Sequence, residues 1–210
     1  MSMDKNTLIE VLRGMSARME KEKEYLTELD NAIADGDHGI NMTRGFAAVC
    51  EKLPSVCDKD IGSILKTVGM TVVSAVGGSA GPLYGTAFLK SGIVLSGKEE
   101  ISAKDFLLCM RAAIDGIMER GKATKGEKTM LDAMIPALEA MEKAESDGDT
   151  PAQMMKKGIA AAWDGVEYTA TIAATKGRAS YIGERSIGHK DPGAVSFTCL
   201  LEEAAQAVQQ

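Results

Sequence analysis

Apolar residues recur at three- and four-residue spacing along most of the chain, the period of a helix buried on one face. Leu8, Leu12, Met15, Met19, Leu26, Leu29 and Ile33 form the first such stripe, and Thr7 with Glu10 three residues later reads as its capping box. Phe46, Val49, Cys50 and Leu53 predict a second helix that stops at Pro54, because proline cannot donate the next backbone bond. A third runs from about Asp60 through Ile61, Ile64, Leu65, Val68 and Val72 to Gly77-Gly78, and a fourth accepts Pro82 in its first turn and continues toward Ile93. Ser102 with Asp105 opens a fifth carrying Phe106, Met110, Ile114 and Ile117. Thr129 with Asp132 opens a sixth, kinked at Pro136. Thr150, Pro151 and Gln153 start a long seventh, and Asp191-Pro192 an eighth that carries Val195, Leu200, Leu201, Ala204 and Val208.

Eight amphipathic helices joined mostly by short connections run antiparallel to their neighbours, so the pattern predicts an all-α up-and-down bundle. In that topology alternate connections share one end. Those at one end are Asp30 to Asn41, Gly77 to Pro82, Gly121 to Thr129 and Lys176 to Gly193, and they hold the unusual chemistry of the chain. The connections around Pro54 to Asp58, Ser91 to Ser102 and Lys143 to Asp149 read as solvated turns. One rim is therefore the expected active end.

Composition supports this picture. The 210 residues fit a single domain spanning 1–210, and an aromatic content of 4% with plentiful Ala and Met suits close-packed helices. A net charge of -6 argues against a nucleic-acid binder. No stretch offers about 18 consecutive apolar residues for a membrane span and the N-terminus lacks an apolar export signal, so a soluble cytoplasmic protein is expected. Cys50, Cys57, Cys109 and Cys199 lack zinc-ligand spacing and read as reduced thiols.

At the rim, Asp30, Asp35 and Asp37 flank a glycine turn beside His38, one of the chain's two histidines. Carboxylate oxygens converging on a turn are ligands a hard divalent cation prefers, and Mg2+ keeps sites open for phosphate oxygens. Asp-Gly-Asp is also an ordinary surface turn, and that reading competes. An EF-hand loop fails because Phe46 stands where the bidentate Glu belongs. Gly77 to Gly85 leads into a helix whose free N–H groups suit a phosphate or, equally, a tight helix–helix turn. The stretch Gly121 to Thr129 is not a Walker loop, since Ala123 replaces Ser/Thr and no strand precedes it; its three lysines could attract a polyphosphate, while each taken singly reads first as part of a solvated basic loop. The segment Lys176 to Gly193 is too long for a structureless connection and is expected to be an ordered lid. Within it Arg178 is favoured for ligand over pairing with Glu184 or Asp191, Arg185 is left open, and His189 reads equally as hydrogen bonder or proton carrier.

Taken together, Asp30, Asp35-Gly-Asp-His-Gly39 with Asn41, Gly77 to Gly85, Gly121-Lys122, Lys128-Thr-Met130, and Lys176 to Tyr181 through Asp191-Pro-Gly193 resemble the nucleotide-binding L subunit of dihydroxyacetone kinase across essentially the whole chain. The resemblance implies an eight-helix antiparallel barrel with a nucleotide site at one rim. It implies that Asp30, Asp35 and Asp37 hold two Mg2+ ions that grip the phosphates of ADP or ATP, with these carboxylates and Arg178 as the catalytic set. His38, Gly39, Ile40, Asn41, Ser79, Ala80, Gly121, Met130, Arg178, Asp191, Pro192 and Gly193 map to the nucleotide pocket, Met130 helping to cover adenine. Ala80 departs from the many relatives with a second serine, which removes one hydroxyl contact to phosphate and leaves backbone N–H groups.

The family further implies phosphoryl transfer to dihydroxyacetone held on a separate K subunit. A free-standing L chain is similar to systems in which bound ADP is recharged from phosphoenolpyruvate by a phosphotransferase M subunit. Two other readings stay open: a non-catalytic nucleotide-sensing module reporting to a transcriptional regulator, and the nucleotide domain of a kinase for another small ketose, polyol or fatty acid.

Overall fold

A computed structural model describes residues 2–207. Its helices are α1 (Lys5–Ile33), α2 (His38–Lys52), α3 (Ile61–Ala75), α4 (Ala80–Val94), α5 (Ala103–Gly121), α6 (Leu131–Ser146), α7 (Pro151–Thr171) and α8 (Pro192–Gln206). Each packs on the next in chain order and α8 returns to α1, so the up-and-down arrangement closes into a ring. The closed ring is the barrel that the resemblance implied. Val208, expected on the last helix, lies outside the described residues.

Local chemistry sets most of the boundaries. Ser102 with Asp105 and Thr150 with Gln153 form the expected capping boxes, and Asp191 caps α8 ahead of Pro192. Asp60 caps α3 through the Ser63 N–H and also accepts the Gly97 N–H at 2.9 Å. Two starts differ from expectation. Helix α1 begins earlier, where Asp4 accepts the Thr7 N–H at 2.8 Å, and Glu10 pairs with Arg13 instead of closing a box. Helix α6 begins after Met130, with Asp132 reaching back to the Thr129 N–H at 2.8 Å, and it continues through Pro136 as one element.

Two short strands were not expected. β1 (Ser2–Asp4) pairs antiparallel with β2 (Glu100–Ser102), tying the start of the chain to the α4–α5 connection. Three residues each give no readable alternation, and their pairing is set by chain ends that the helices bring together. Pro54 sits in a 3-10 turn, Leu53–Ser55, that follows α2 as expected.

The interior is one cluster of Leu, Ile, Val, Met and Ala with few rings, among them Phe46 and Phe88 packed edge to face at 6.2 Å. An apolar cavity of about 160 Å³ remains inside the barrel, lined among others by Leu12, Met15, Phe88, Met134 and Phe197. None of the described helices is long and apolar enough to cross a membrane.

Candidate nucleotide and metal site

The connections α1–α2, α3–α4, α5–α6 and α7–α8 meet at one rim and enclose a cavity of about 390 Å³. That size is ordinary for a small-molecule site. Its lining draws on all four connections, as the alternation of an up-and-down ring requires.

The carboxylates come first. Ligand oxygens of Asp30, Asp35 and Asp37 lie within 4.8 Å of one another. Asp30, the last buried residue but one in α1, accepts the N–H groups of Asp37 at 2.9 Å and His38 at 3.2 Å on one oxygen, so its carboxylate is fixed and its second oxygen is free of these bonds. Burial raises the Asp30 pKa, with the neighbouring Asp37 adding to the effect and the two N–H bonds opposing it. Asp35 is exposed and pairs with Arg178, which joins the first rim connection to the last. An all-oxygen set of three acids opposed by one guanidinium suits a hard dication, and the residues present fit Mg2+.

Gly77, Gly78, Ser79, Ala80 and Pro82 of the glycine turn line the same cavity. Gly78 has φ 63°, which favours glycine, and a Cβ there would meet nothing within 4 Å, so a ligand can approach its backbone closely. Ser79 makes no cap hydrogen bond, leaving its hydroxyl uncommitted to the first turn of α4. The first N–H groups of that helix lack intrahelical acceptors and form the positive end of its dipole. Ala80 follows in this turn and lines the cavity. Asn41 braces the arrangement from α2: it accepts Arg44 Nη2 at 2.7 Å, and Arg44 Nε donates to the Ala75 carbonyl at 2.9 Å.

His38 lines the cavity and also turns inward. Its Nε2 lies 2.9 Å from Ser196 Oγ, which lies 2.7 Å from the Tyr84 hydroxyl, and that hydroxyl donates to the Gly193 carbonyl at 3.2 Å. Burial pulls the His38 pKa down to about 4, so its imidazole is neutral at pH 7 and offers one N–H and one lone pair. Burial likewise raises the Tyr84 pKa, keeping a phenol there. Sequence reasoning missed Ser196; it sits in a helix among apolar neighbours with no local signal beyond being a buried hydroxyl.

From the last connection come Arg178, Asp191, Pro192 and Gly193, and from the α5–α6 connection Gly121 and Met130, all lining the cavity. Asp191 accepts the Ala194 N–H at 2.7 Å, and its burial pushes its pKa up to about 7. The lid segment is ordered, as 3-10 turns over Arg178–Ser186 broken at Gly183. It is anchored by Ala179 and Ile182 packed with Ile33 and Ala174, and by the Gly188 N–H to the Ala170 carbonyl at 2.8 Å. Tyr181 stands out at 86% exposed. Arg185 and His189 do not line the cavity.

Three expectations differ from the lining and pairing observed. Gly39 and Ile40 do not line the cavity. A Cβ on Gly39 would come within 2.1 Å of the Lys23 carbonyl, so that glycine serves the close approach of α2 to α1, while Ile40 is 47% exposed. Two of the three lysines in the lysine-rich loop are engaged within the protein. Lys125 pairs with Glu139 at 3.5 Å, and the Lys128 ammonium is buried among backbone carbonyls of Thr169, Ile172 and His189.

Comparison with known proteins shows the family. Residues 32–206 match the model of the DAK2 domain. The chain is 40% identical over 210 residues, the whole of both chains, to the ADP-binding subunit DhaL of the PEP-dependent dihydroxyacetone kinase of Escherichia coli (strain K12). It is 39% identical over 203 residues, 97% of each, to the ADP-binding subunit DhaL of the PTS-dependent dihydroxyacetone kinase of Lactococcus lactis subsp. lactis (strain IL1403). Its fold matches the crystal structure of the dihydroxyacetone kinase from C. freundii in complex with AMP-PNP and Mg2+ with a TM-score of 0.74 at 20% identity, over 94% of this chain and 33% of that one. The chain belongs to the DAK2 domain family, in the group of ADP-binding L subunits of dihydroxyacetone kinases.

Proposed function

We propose that this chain is the phosphotransferase subunit that presents a nucleotide phosphate to dihydroxyacetone, with the adenine nucleotide seated in the rim cavity and Mg2+ at the three aspartates. The observation that carries the reading is the convergence of Asp30, Asp35 and Asp37 in the lining of a cavity that the glycine turn before α4 also lines. A dication in that place supplies neutralisation of phosphate charge and alignment of the transferring group, which is most of what phosphoryl transfer asks of a protein. The chain's own residues do the rest. Asp30 is held rigid by two N–H bonds, Asp35 and Asp37 complete the acidic face, and Arg178 lies beside it with planar donors for phosphate oxygens. The first turn of α4 offers backbone N–H groups and Ser79.

The family resemblance implies two ions, which Asp30, Asp35 and Asp37 would hold. The dihydroxyacetone is expected on a separate K subunit, with an M subunit recharging ADP from phosphoenolpyruvate in the cytoplasm. The relatives named for PEP-dependent and PTS-dependent kinases support that route. The test supplies a K subunit and dihydroxyacetone to the purified chain carrying terminally labelled nucleotide. Label appearing in dihydroxyacetone phosphate is the expected result; label that stays on the nucleotide or goes to water overturns the reading.

A further inference from the structure

Among the described residues, Lys128 is the one lysine or arginine sealed from solvent, at 1% exposed. Its ammonium donates to the carbonyls of Thr169 at 2.5 Å, Ile172 at 3.3 Å and His189. An ammonium has three donors, so all of them are engaged and none is left for a phosphate oxygen. That separates Lys128 from the role its position beside the cavity invites.

The identity of the three carbonyls is informative. Thr169 and Ile172 end α7, where the last carbonyls lack helical partners and the dipole is negative, so a cation arriving from another element caps that end. His189 stands two residues before Asp191, the cap of α8. The same corner is closed again by the Asp191 N–H, which donates to Thr169 Oγ1 at 2.9 Å. Segment 173–188, which carries Arg178, therefore leaves the cage at Ile172 and re-enters it at His189. Lys128 holds both ends of it.

The lysine itself is held from behind. It adopts φ 60°, and fully buried Asp132 accepts the N–H groups of Gly126 at 2.5 Å and Thr129 at 2.8 Å on either side of it. The backbone around Lys128 is thus fixed to the start of α6, and the ammonium transmits that fixity to the lid.

We propose that Lys128 is a positioning residue whose ammonium clamps both ends of segment 173–188, keeping Arg178 over the carboxylate cluster and so setting how slowly bound Mg-ADP leaves. This deepens the nucleotide reading and rests on it. Lys128→Met keeps the length and removes the donors; Lys128→Gln keeps an amide with two donors and serves if the methionine variant does not fold.

Two readouts test it. In stopped flow, a fluorescent N-methylanthraniloyl-ADP with Mg2+ is chased by excess ADP; the variant is expected to release it about tenfold faster with association nearly unchanged, as dissociation carries most such effects. In hydrogen exchange on the nucleotide-free proteins, amides of 173–188 are expected to exchange faster in the variant while those of α2 to α5 do not change. Equal release rates, exchange raised evenly over the whole barrel, or failure of both variants to fold would overturn the clamp and assign Lys128 to the fold alone. A wild-type chain that binds no nucleotide overturns the nucleotide reading instead, and the exchange comparison still decides the clamp.

Discussion

Asp30 and Asp35 belong to one cluster and are held in opposite ways. Asp30 is buried and pinned by two N–H groups, whereas Asp35 is open to solvent and engaged by Arg178. Because neither Asp35 nor Asp37 supports the core, Asp35→Asn or Asp37→Asn is expected to abolish phosphoryl transfer while circular dichroism shows helix content within a few per cent of wild type. Wholesale unfolding of both would assign them to structure. Arg178→Ala is expected to weaken Mg-ADP binding by about tenfold, the cost of a charged hydrogen bond, and Lys125→Ala to change it little, since Lys125 pairs with Glu139 away from the cavity. Equal dissociation constants by calorimetry would remove the distinction. The acid cluster was legible in the sequence because its members sit within eight consecutive residues. His38–Ser196–Tyr84 and the Lys128 cage were not, because each joins residues 41 or more positions apart that only barrel closure brings together.

At the scale of the element, caps were legible and packing was not. Ser102, Thr150 and Asp191 announce their helices through bonds to residues three along, which the sequence displays directly. Gly39, by contrast, stands in a motif of ligand residues yet meets the Lys23 carbonyl of the neighbouring helix, and nothing local tells the two uses apart. Gly39→Ala is accordingly expected to lower stability by about 1–3 kcal/mol through overpacking, read as a lower urea midpoint. A neutral midpoint with lost nucleotide binding would restore the ligand role. Asp60 offers a pH-dependent case. Bonds from Ser63 and the Gly97 N–H hold its pKa down to about 2, so its contribution is present above the usual carboxylate value and is lost as pH falls through the folded one. Asp60→Ala is expected to cost about 1 kcal/mol near neutrality, as an N-cap does, with the gap to wild type narrowing below about pH 4. A gap that stays constant down to pH 2.5 would contradict the cap.

For the whole molecule, the ring topology explains why distant stretches of sequence converge. With eight helices alternating in direction, every second connection returns to the same mouth, and α8 packing on α1 brings Arg178 to Asp35. That alternation was readable from helix count and loop length alone. The β1–β2 pair that ties the opposite end was not, because three-residue strands carry no period. One rim holds the acids, the glycine turn and the ordered segment with Arg178, and the other holds the β1–β2 pair and the 3-10 turn after α2. On the reading proposed above, the acids at this mouth hold dications that hold a nucleotide's phosphates. Anomalous diffraction from crystals grown with Mn2+ and ADP tests it most directly. Anomalous peaks about 2.1–2.2 Å from oxygens of Asp30, Asp35 and Asp37, bridged to the ADP phosphates, are the result expected for octahedral oxygen coordination. ADP bound elsewhere, or no peak among the three carboxylates, would contradict it.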